Sequence, residues 1–438
     1  MRKPSRPKGR GLLFTLLALF LVLPFSKTIR AQEIEKAQEI EKDLLIRLME
    51  EQGTDFEDIL RDPERYRVQI LYTQIDRNEK NEPSFQSYSF GVSPDTYFYP
   101  ASSIKIFGAA LSLEKFNALN IKDLNKDAFV RIDSNFSGES AVIRDSTSAS
   151  GKPSFGHYIK KLLVLSDNDA YNRTYEFLGQ EALNEKLRSK GYDKLRLTHR
   201  LSISLSPEEN RNTNAMQFYR DDPKRTVYTQ EALTTSKDFT SESAILLGDS
   251  YVSGDSIIQG PMDFSKKNYC SVEELQRAIR SLIFPESVDE QKRFDLTAED
   301  LRYLRTYMSQ LPRETIYPDY SDKPDNYCKF FLYGDDNSAV IPDHIRIFNK
   351  IGLAYGFCID NAYIVDFKEN IEFMLTAVIY ANENNRLNDG VYEYETVAFP
   401  FLAELGRVIY DYEVKRVRPN APDLTEFKLS YDISQPAN

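Results

Sequence analysis

The chain has 438 residues, 41% hydrophobic and 12% aromatic, which suits two ordinary domains or one large domain with insertions and excludes global disorder. Its formal net charge is −11; the first 31 residues hold seven Lys or Arg and no acid, so the remainder carries 49 basic against 67 acidic residues, a balance of −18. An acidic body of this kind argues against nucleic acid or an anionic membrane surface as the main partner, since both need basic patches.

Arg2, Lys3, Arg6, Lys8 and Arg10 form a basic region ahead of an apolar run from Leu12 to Phe25 that contains Pro24. The run falls short of the roughly 20 residues a spanning helix needs, so residues 1–31 are predicted to be a cleaved signal peptide. The expected mature chain begins near Gln32, lies in the periplasm or outside the cell, and keeps no stable membrane span. Residues 32–62 read as an N-terminal helical segment. It comprises a charged spacer, the hexapeptide AQEIEK twice over 31–42, and a helix from Asp43 to Asp62 with Leu44, Leu45, Leu48 and Met49 as its apolar stripe.

The main domain is expected over 63–415. Arg67 to Arg77 and Ser84 to Val92 are rich in Tyr, Ile, Val and Phe and flank a polar turn, the pattern of a hairpin. Next comes YFYPASSIKIFGAA, residues 97–110, where a Pro-broken aromatic approach runs into a helix-forming run. Ser102 falls at the predicted helix N-terminus with Lys105 at i+3, on the same face. A lysine amine held neutral there can take the serine proton, and the unpaired amides of the helix end favour an anionic oxygen. Ser102 is therefore the candidate nucleophile; on these four residues alone, an N-cap serine followed by a solvated lysine is the better reading.

A helical lobe is expected from about 121 to 336, including an insertion. Within it, Ser271 with Glu274 and Thr297 with Asp300 open two amphipathic surface helices. Strands return at Ile345 to Lys350, Ala362 to Phe367 and Glu372 to Tyr380, a helix runs from Tyr394 to Tyr412, and the 416–438 tail reads as loose. The fold class expected is α/β of the α+β type: one antiparallel sheet built from both ends of the chain, flanked by helices, plus an all-helical lobe with a cleft between. Cys270, Cys328 and Cys358 lack metal-like spacing and fit either one disulfide with a spare thiol or three buried thiols. His157, His199 and His344 are scattered and read as hydrogen-bonded structural residues; no metal and no cofactor is implied.

Two further stretches matter. Ser166-Asp167-Asn168 lies at the end of an apolar run and the start of a helix, and Lys350-Ile351-Gly352 lies on a late strand. Ser-x-x-Lys, Ser-Asp-Asn and Lys-x-Gly in this order resemble the active-site set of class A serine β-lactamases and penicillin-binding proteins, and the resemblance spans about 65–415. It implies that Ser102 attacks an acyl carbonyl, Lys105 helps deprotonate it, and Ser166 relays a proton to the leaving nitrogen. It further implies that Asn168 binds the substrate amide and Lys105, and that Lys350 attracts an acidic substrate group. The amides of Ser102 and Leu353 would form the oxyanion hole, beside Gly352.

Two departures from that family stand out. Ile351 occupies the middle of the third motif, where the family carries a hydroxyl that contacts the substrate carboxylate, and the deacylation base is met only by Glu208 with Asn212 in the loop 204–214. The resemblance thus implies an exported serine hydrolase on a small-molecule β-lactam or a cell-wall peptide. The alternatives are a D,D-peptidase, an esterase, or a non-hydrolytic penicillin-binding sensor. The 184 positions from Ser166 to Lys350 exceed what minimal members of the family use.

Overall fold

The computed structural model describes residues 44–52, 56–93, 96–134, 140–222 and 224–433. The expected signal peptide and the AQEIEK repeat lie outside the described residues. Within them, no helix is long and apolar enough to cross a membrane.

The chain's two ends meet in one antiparallel sheet. Its strands are β1 (Gln69–Arg77), β2 (Pro83–Phe90), β3 (Ile345–Asn349), β4 (Gly352–Ala354), β5 (Phe357–Asp366) and β6 (Ile371–Tyr380). The spatial order is β3-β5-β6-β1-β2, with β4 continuing beside β5 where β3 stops. Every residue of β5 and β6 is buried, because both faces of these central strands are covered. Strand alternation divides their side chains between two apolar clusters. Ile359, Tyr363, Val365, Met374 and Val378 join the cluster that includes the helical lobe. Cys358, Ala362, Ile364, Phe373, Leu375 and Ile379 join the opposite one.

Three helices form the heart of the lobe: α1 (Lys105–Leu119), α2 (Phe155–Val164) and α3 (Asn168–Leu178). Beyond a further helix at Gln180–Ser189 come α4 (Val272–Ile283), α5 (Ala298–Ser309) and α6 (Phe399–Lys415). Helix α1 is buried around its circumference from Lys105 to Glu114, as befits the centre of a lobe. On the far face α6 covers the sheet together with the helical residues 44–50, whose Leu44, Leu45, Leu48 and Met49 form the expected stripe.

Three expectations need correction. The lobe is not all-helical: strands occur at Phe129–Ile132, Met216–Tyr219, Thr226–Gln230, Ser250–Ser253 and Ser256–Gln259, where Tyr and β-branched residues recur over short runs. Helix α4 is no surface helix. Its Gln276 Nε2 donates to Leu71 O at 2.8 Å, its Gln276 Oε1 accepts from Thr73 Oγ1 at 2.6 Å, and Asn361 Nδ2 donates to Leu275 O at 2.8 Å, so polar side chains bolt it to the sheet. The tail is not loose as far as residue 433. Phe427 is fully buried against Phe284, Phe348 and Tyr363. Of the two readings left open for the cysteines, the structure shows three free, buried thiols, each at an apolar position.

The capping residues proposed for α4 and α5 do cap them: Ser271 accepts from Glu274 N, and Thr297 with Asp300 forms a reciprocal box. Each histidine ring has one hydrogen-bond partner, respectively Thr147, the Arg200 carbonyl and Asp366.

Candidate active site

Ser102 sits in a 3-10 turn, Ala101–Ile104, that leads directly into α1. The turn is entered through Ala101 at φ 48°, a left-handed conformation that costs a non-glycine residue roughly 1–2 kcal/mol. Ser102 is half-buried, and its hydroxyl makes no hydrogen bond among the described residues. One turn later Lys105 is fully buried. Its amine reaches across to the second motif: Nζ donates to the Ser166 carbonyl and to Asn168 Oδ1 at 2.7 Å, and lies 3.3 Å from Ser166 Oγ.

The second motif is held by its own local chemistry. Asp167 caps α3 by accepting from Ala170 N at 2.8 Å, which leaves Ser166 outside the helix at φ 59° and Asn168 at its first position. The third motif closes the cluster. Lys350 Nζ donates to Ser166 Oγ at 2.8 Å and to Ile351 O at 3.1 Å. Gly352 is required for this approach: a Cβ there would lie 2.5 Å from Pro100 O and 3.0 Å from Ser103 N, so only glycine lets β4 rest on the turn that carries Ser102. Leu353 follows on that edge strand, 36% exposed.

Among the described residues neither lysine touches a carboxylate. Burial, reinforced by the neighbouring Lys350 charge, pushes the Lys105 amine well below its ordinary range. Burial alone brings Lys350 down to about 8. Behind Lys350 a buried network pins the end of β3. Asn349 Nδ2 donates to Asp360 Oδ1 at 2.7 Å, and Lys329 Nζ donates to Asn349 Oδ1 at 2.6 Å.

Two sequence candidates are not brought to this cluster. Ile351 is 7% exposed and belongs to the apolar cluster on the far face of the sheet, because strand alternation turns it away from Lys350. Glu208 is exposed, and Asn212, its proposed partner, donates to its backbone carbonyl at 2.9 Å rather than to its carboxylate. What the residues just ahead of that loop do deliver is Ser202, whose Oγ accepts from Asn168 Nδ2 at 2.9 Å. Its position follows from α3, where Asn172, one turn past Asn168, clasps the Leu201 backbone at both its N–H (2.8 Å) and its carbonyl (3.0 Å). Buried Arg200 and Glu176, 3.6 Å apart, fasten the same loop. Sequence reasoning missed Ser202, Asn349, Lys329 and Asp360. The one available signal was a buried-type strand, FCIDNAYIVD, interrupted by an aspartate.

Residues 54–280 match the family model described as the beta-lactamase enzyme family. The chain belongs to this family. The remainder of the sheet and the third motif lie beyond the matched span. Among solved structures, similar chains include a beta-lactamase from Burkholderia phymatum, at 13% identity and a TM-score of 0.45 over 86% of this chain and 99% of that one. Others are a beta-lactamase from Xanthomonas campestris, at 14%, 0.44, 85% and 98%, and one from Streptomyces albus, at 15%, 0.43, 85% and 98%. No curated protein matches the chain. As a family member the chain is a hydrolase of the serine beta-lactamase and penicillin-binding-protein kind, with a small-molecule substrate.

Proposed function

We propose that the chain is an exported, periplasmic or secreted serine hydrolase that opens a cyclic amide through an acyl-enzyme on Ser102. The observation that carries this reading is the bridge of Ser166 between two buried lysines. A neutral Lys105 amine has two N–H groups and one lone pair. The Ser166 carbonyl and Asn168 Oδ1 can only accept, so they take the two N–H groups and leave the lone pair for a hydroxyl proton. Lys350, the more basic amine, stays charged and donates to Ser166 Oγ, which orients that hydroxyl's own proton away from Lys350.

Lys105 would thus accept the Ser102 proton as its Oγ attacks the carbonyl. The proton would leave by way of Ser166 to the expelled nitrogen, so no net charge accumulates in the cluster. The amide of Ser102, with the amide of Leu353 on the edge strand, would be the donors for the tetrahedral oxyanion; one such donor is worth about 3 kcal/mol in other acyl-transfer enzymes. Intact-mass analysis of the purified chain with a penicillin tests this. An adduct mapped to Ser102 is expected, and a label on any other residue overturns the reading.

A second reading has its own observation. Among the described residues no carboxylate touches Lys105, Ser166 or Asn168, and Glu208 is exposed, so nothing in contact with the relay activates water for the second step. A long-lived adduct in the same experiment would mark a D,D-peptidase or penicillin-binding sensor, and a transient one a beta-lactamase.

A further inference from the structure

A cavity of about 670 Å³ opens beside the relay, a volume ordinary for a ligand site. Ser202 belongs both to its wall and to the hydrogen bond with Asn168, so the cavity begins where the relay ends. Tyr99, three residues before Ser102, and Tyr355, directly after the edge strand β4, form the wall nearest the nucleophile. Tyr355 and Gly356, at φ 55° and 84°, make a two-residue hairpin loop with both residues left-handed, the geometry of a type I′ turn. Edge contacts with Tyr99 at 5.1 Å and Phe264 at 5.3 Å fix the Tyr355 ring.

The rest of the lining comes largely from the insertion between the second and third motifs. Phe239, the strand Ser250–Ser253 and the segment from Met262 to Lys267 contribute to it. The strand is tethered to the main domain, since Asn388 Nδ2 donates to Val252 O at 2.9 Å and Arg386 Nε to Ser250 Oγ at 3.2 Å. The insertion is therefore a built wall of the cleft.

The charges lining the cavity are unequal in commitment. Asp238 accepts from Thr240 Oγ1 at 2.6 Å and pairs with Arg211 at 3.4 Å. Asp263 accepts from Ser265 N at 2.8 Å and Ser265 Oγ at 2.9 Å. Arg200 is paired with Glu176 and donates to Asn212 O at 2.8 Å. His199 is kept neutral by burial, with a pKa lowered to about 4. Lys266 and Lys267 differ: among the described residues neither amine has a hydrogen bond or an ion pair within 4 Å; the Lys266 charge lies near enough to Asp238 and Asp263 to act on both, while Lys267 Nζ lies over the Tyr355 ring, at 5.9 Å.

We propose that this cavity is a subsite for an anionic group at the far end of the substrate's acyl chain, held by Lys266 and Lys267. The preferred acyl donor then carries a carboxylate several bonds from the scissile carbonyl, its chain running past Asn168 and Ser202 between the aromatic walls. The inference rests on the acyl-enzyme reading of Ser102 for its direction of approach, and its test is separable from that reading.

The test uses two penicillins that differ in one group: 6-aminopenicillanic acid acylated with adipic acid through one carboxyl, and the same nucleus acylated with hexanoic acid. Titration calorimetry on the Ser102→Ala chain reads binding without acylation. The adipoyl compound should bind about tenfold tighter at low salt, the gain of one charge-assisted contact. The preference should shrink as salt rises, since these lysines face solvent, and disappear in the Lys266→Ala/Lys267→Ala variant of the same chain. Equal affinities, a preference untouched in the double variant, or no binding of either compound up to millimolar concentration overturns the subsite. The acyl-enzyme reading fails separately, if neither penicillin leaves a mass adduct on the unaltered chain, because the calorimetric preference is measured whether or not that adduct forms.

Discussion

Lys350 Nζ donates to Ser166 Oγ at 2.8 Å across 184 positions of sequence, tying the strand that ends the sheet to the loop that begins α3. The bond places Ser166 in the path of any proton that moves between Lys105 and a leaving group. Ser166→Ala removes that hydroxyl while leaving the carbonyl that Lys105 also holds. The rate of Ser102 acylation by a penicillin should fall by about 10²–10⁴-fold, the span of general acid–base catalysis. A loss under tenfold, measured by stopped-flow or quenched mass analysis, removes Ser166 from the proton path.

The two amines set a pH profile. Lys105 lies lower than Lys350 because burial and the Lys350 charge both act on it, and Lys350 lies at about 8. Between the two, Lys105 is neutral and Lys350 charged, the state the relay needs. For a carboxylate-bearing β-lactam, kcat/KM should therefore rise on an acid limb as Lys105 loses its proton. It should fall on an alkaline limb near 8 as Lys350 loses its own. A profile flat from about pH 7 to 10 would mean that the Lys350 charge has no part in the reaction.

Glu208→Gln should leave both acylation and deacylation within about twofold of the unaltered chain, the insensitivity of an exposed side chain outside the relay. Ser202→Ala should lower acylation several-fold, because Asn168 Nδ2 then lacks the acceptor that fixes its amide. If Glu208→Gln instead traps an adduct, the loop closes over the site during turnover and Glu208 is the water-activating base.

Ile351→Thr should cost about 1–3 kcal/mol of stability, because it places a hydroxyl in the apolar cluster behind the sheet. The ratio of activity on a carboxylate-bearing β-lactam to that on a neutral ester should not rise. Urea unfolding and paired kinetics measure the two effects, and a rise in that ratio would show that the side chain reaches the cleft.

Lys115, remote from the motifs, is pushed down to about 8 by burial, where Nζ donates to the Phe177 carbonyl and to Gln230 Oε1 at 2.6 Å. Its folded pKa lies below the unfolded value of roughly 10.4, so the unfolded chain binds more protons between the two. Stability from this group is present above the unfolded value and is lost as pH falls through about 8. The gain in urea midpoint from pH 7.5 to 9.5 should accordingly be smaller in Lys115→Met than in the unaltered chain; an equal gain would mean that Lys115 does not titrate in this window.

What the sequence determined by itself is local. Ser102 one turn ahead of Lys105, Asp167 as a helix cap, the strand runs at Ala362 to Phe367 and Glu372 to Tyr380 and the glycine after Lys350-Ile351 all follow from spacing, capping and turn chemistry within a few residues. Even the sheet's assembly from both chain ends was legible, because its strand patterns bracket a long stretch in which helical patterns dominate. Tertiary structure alone decided which face each motif residue presents and what meets it. Ile351 turns into the far cluster, since one step along a strand reverses the side chain. Ser202 reaches Asn168 because Asn172 grips the neighbouring backbone, a contact 29 positions apart with no local signature. The tail packs because Phe427 finds a gap among rings from three distant segments. The insertion becomes a cavity wall because its strand is tethered at Arg386 and Asn388, more than a hundred residues on. Such contacts depend on which surfaces the fold happens to face together, and a periodic pattern in one segment carries no information about the segment opposite.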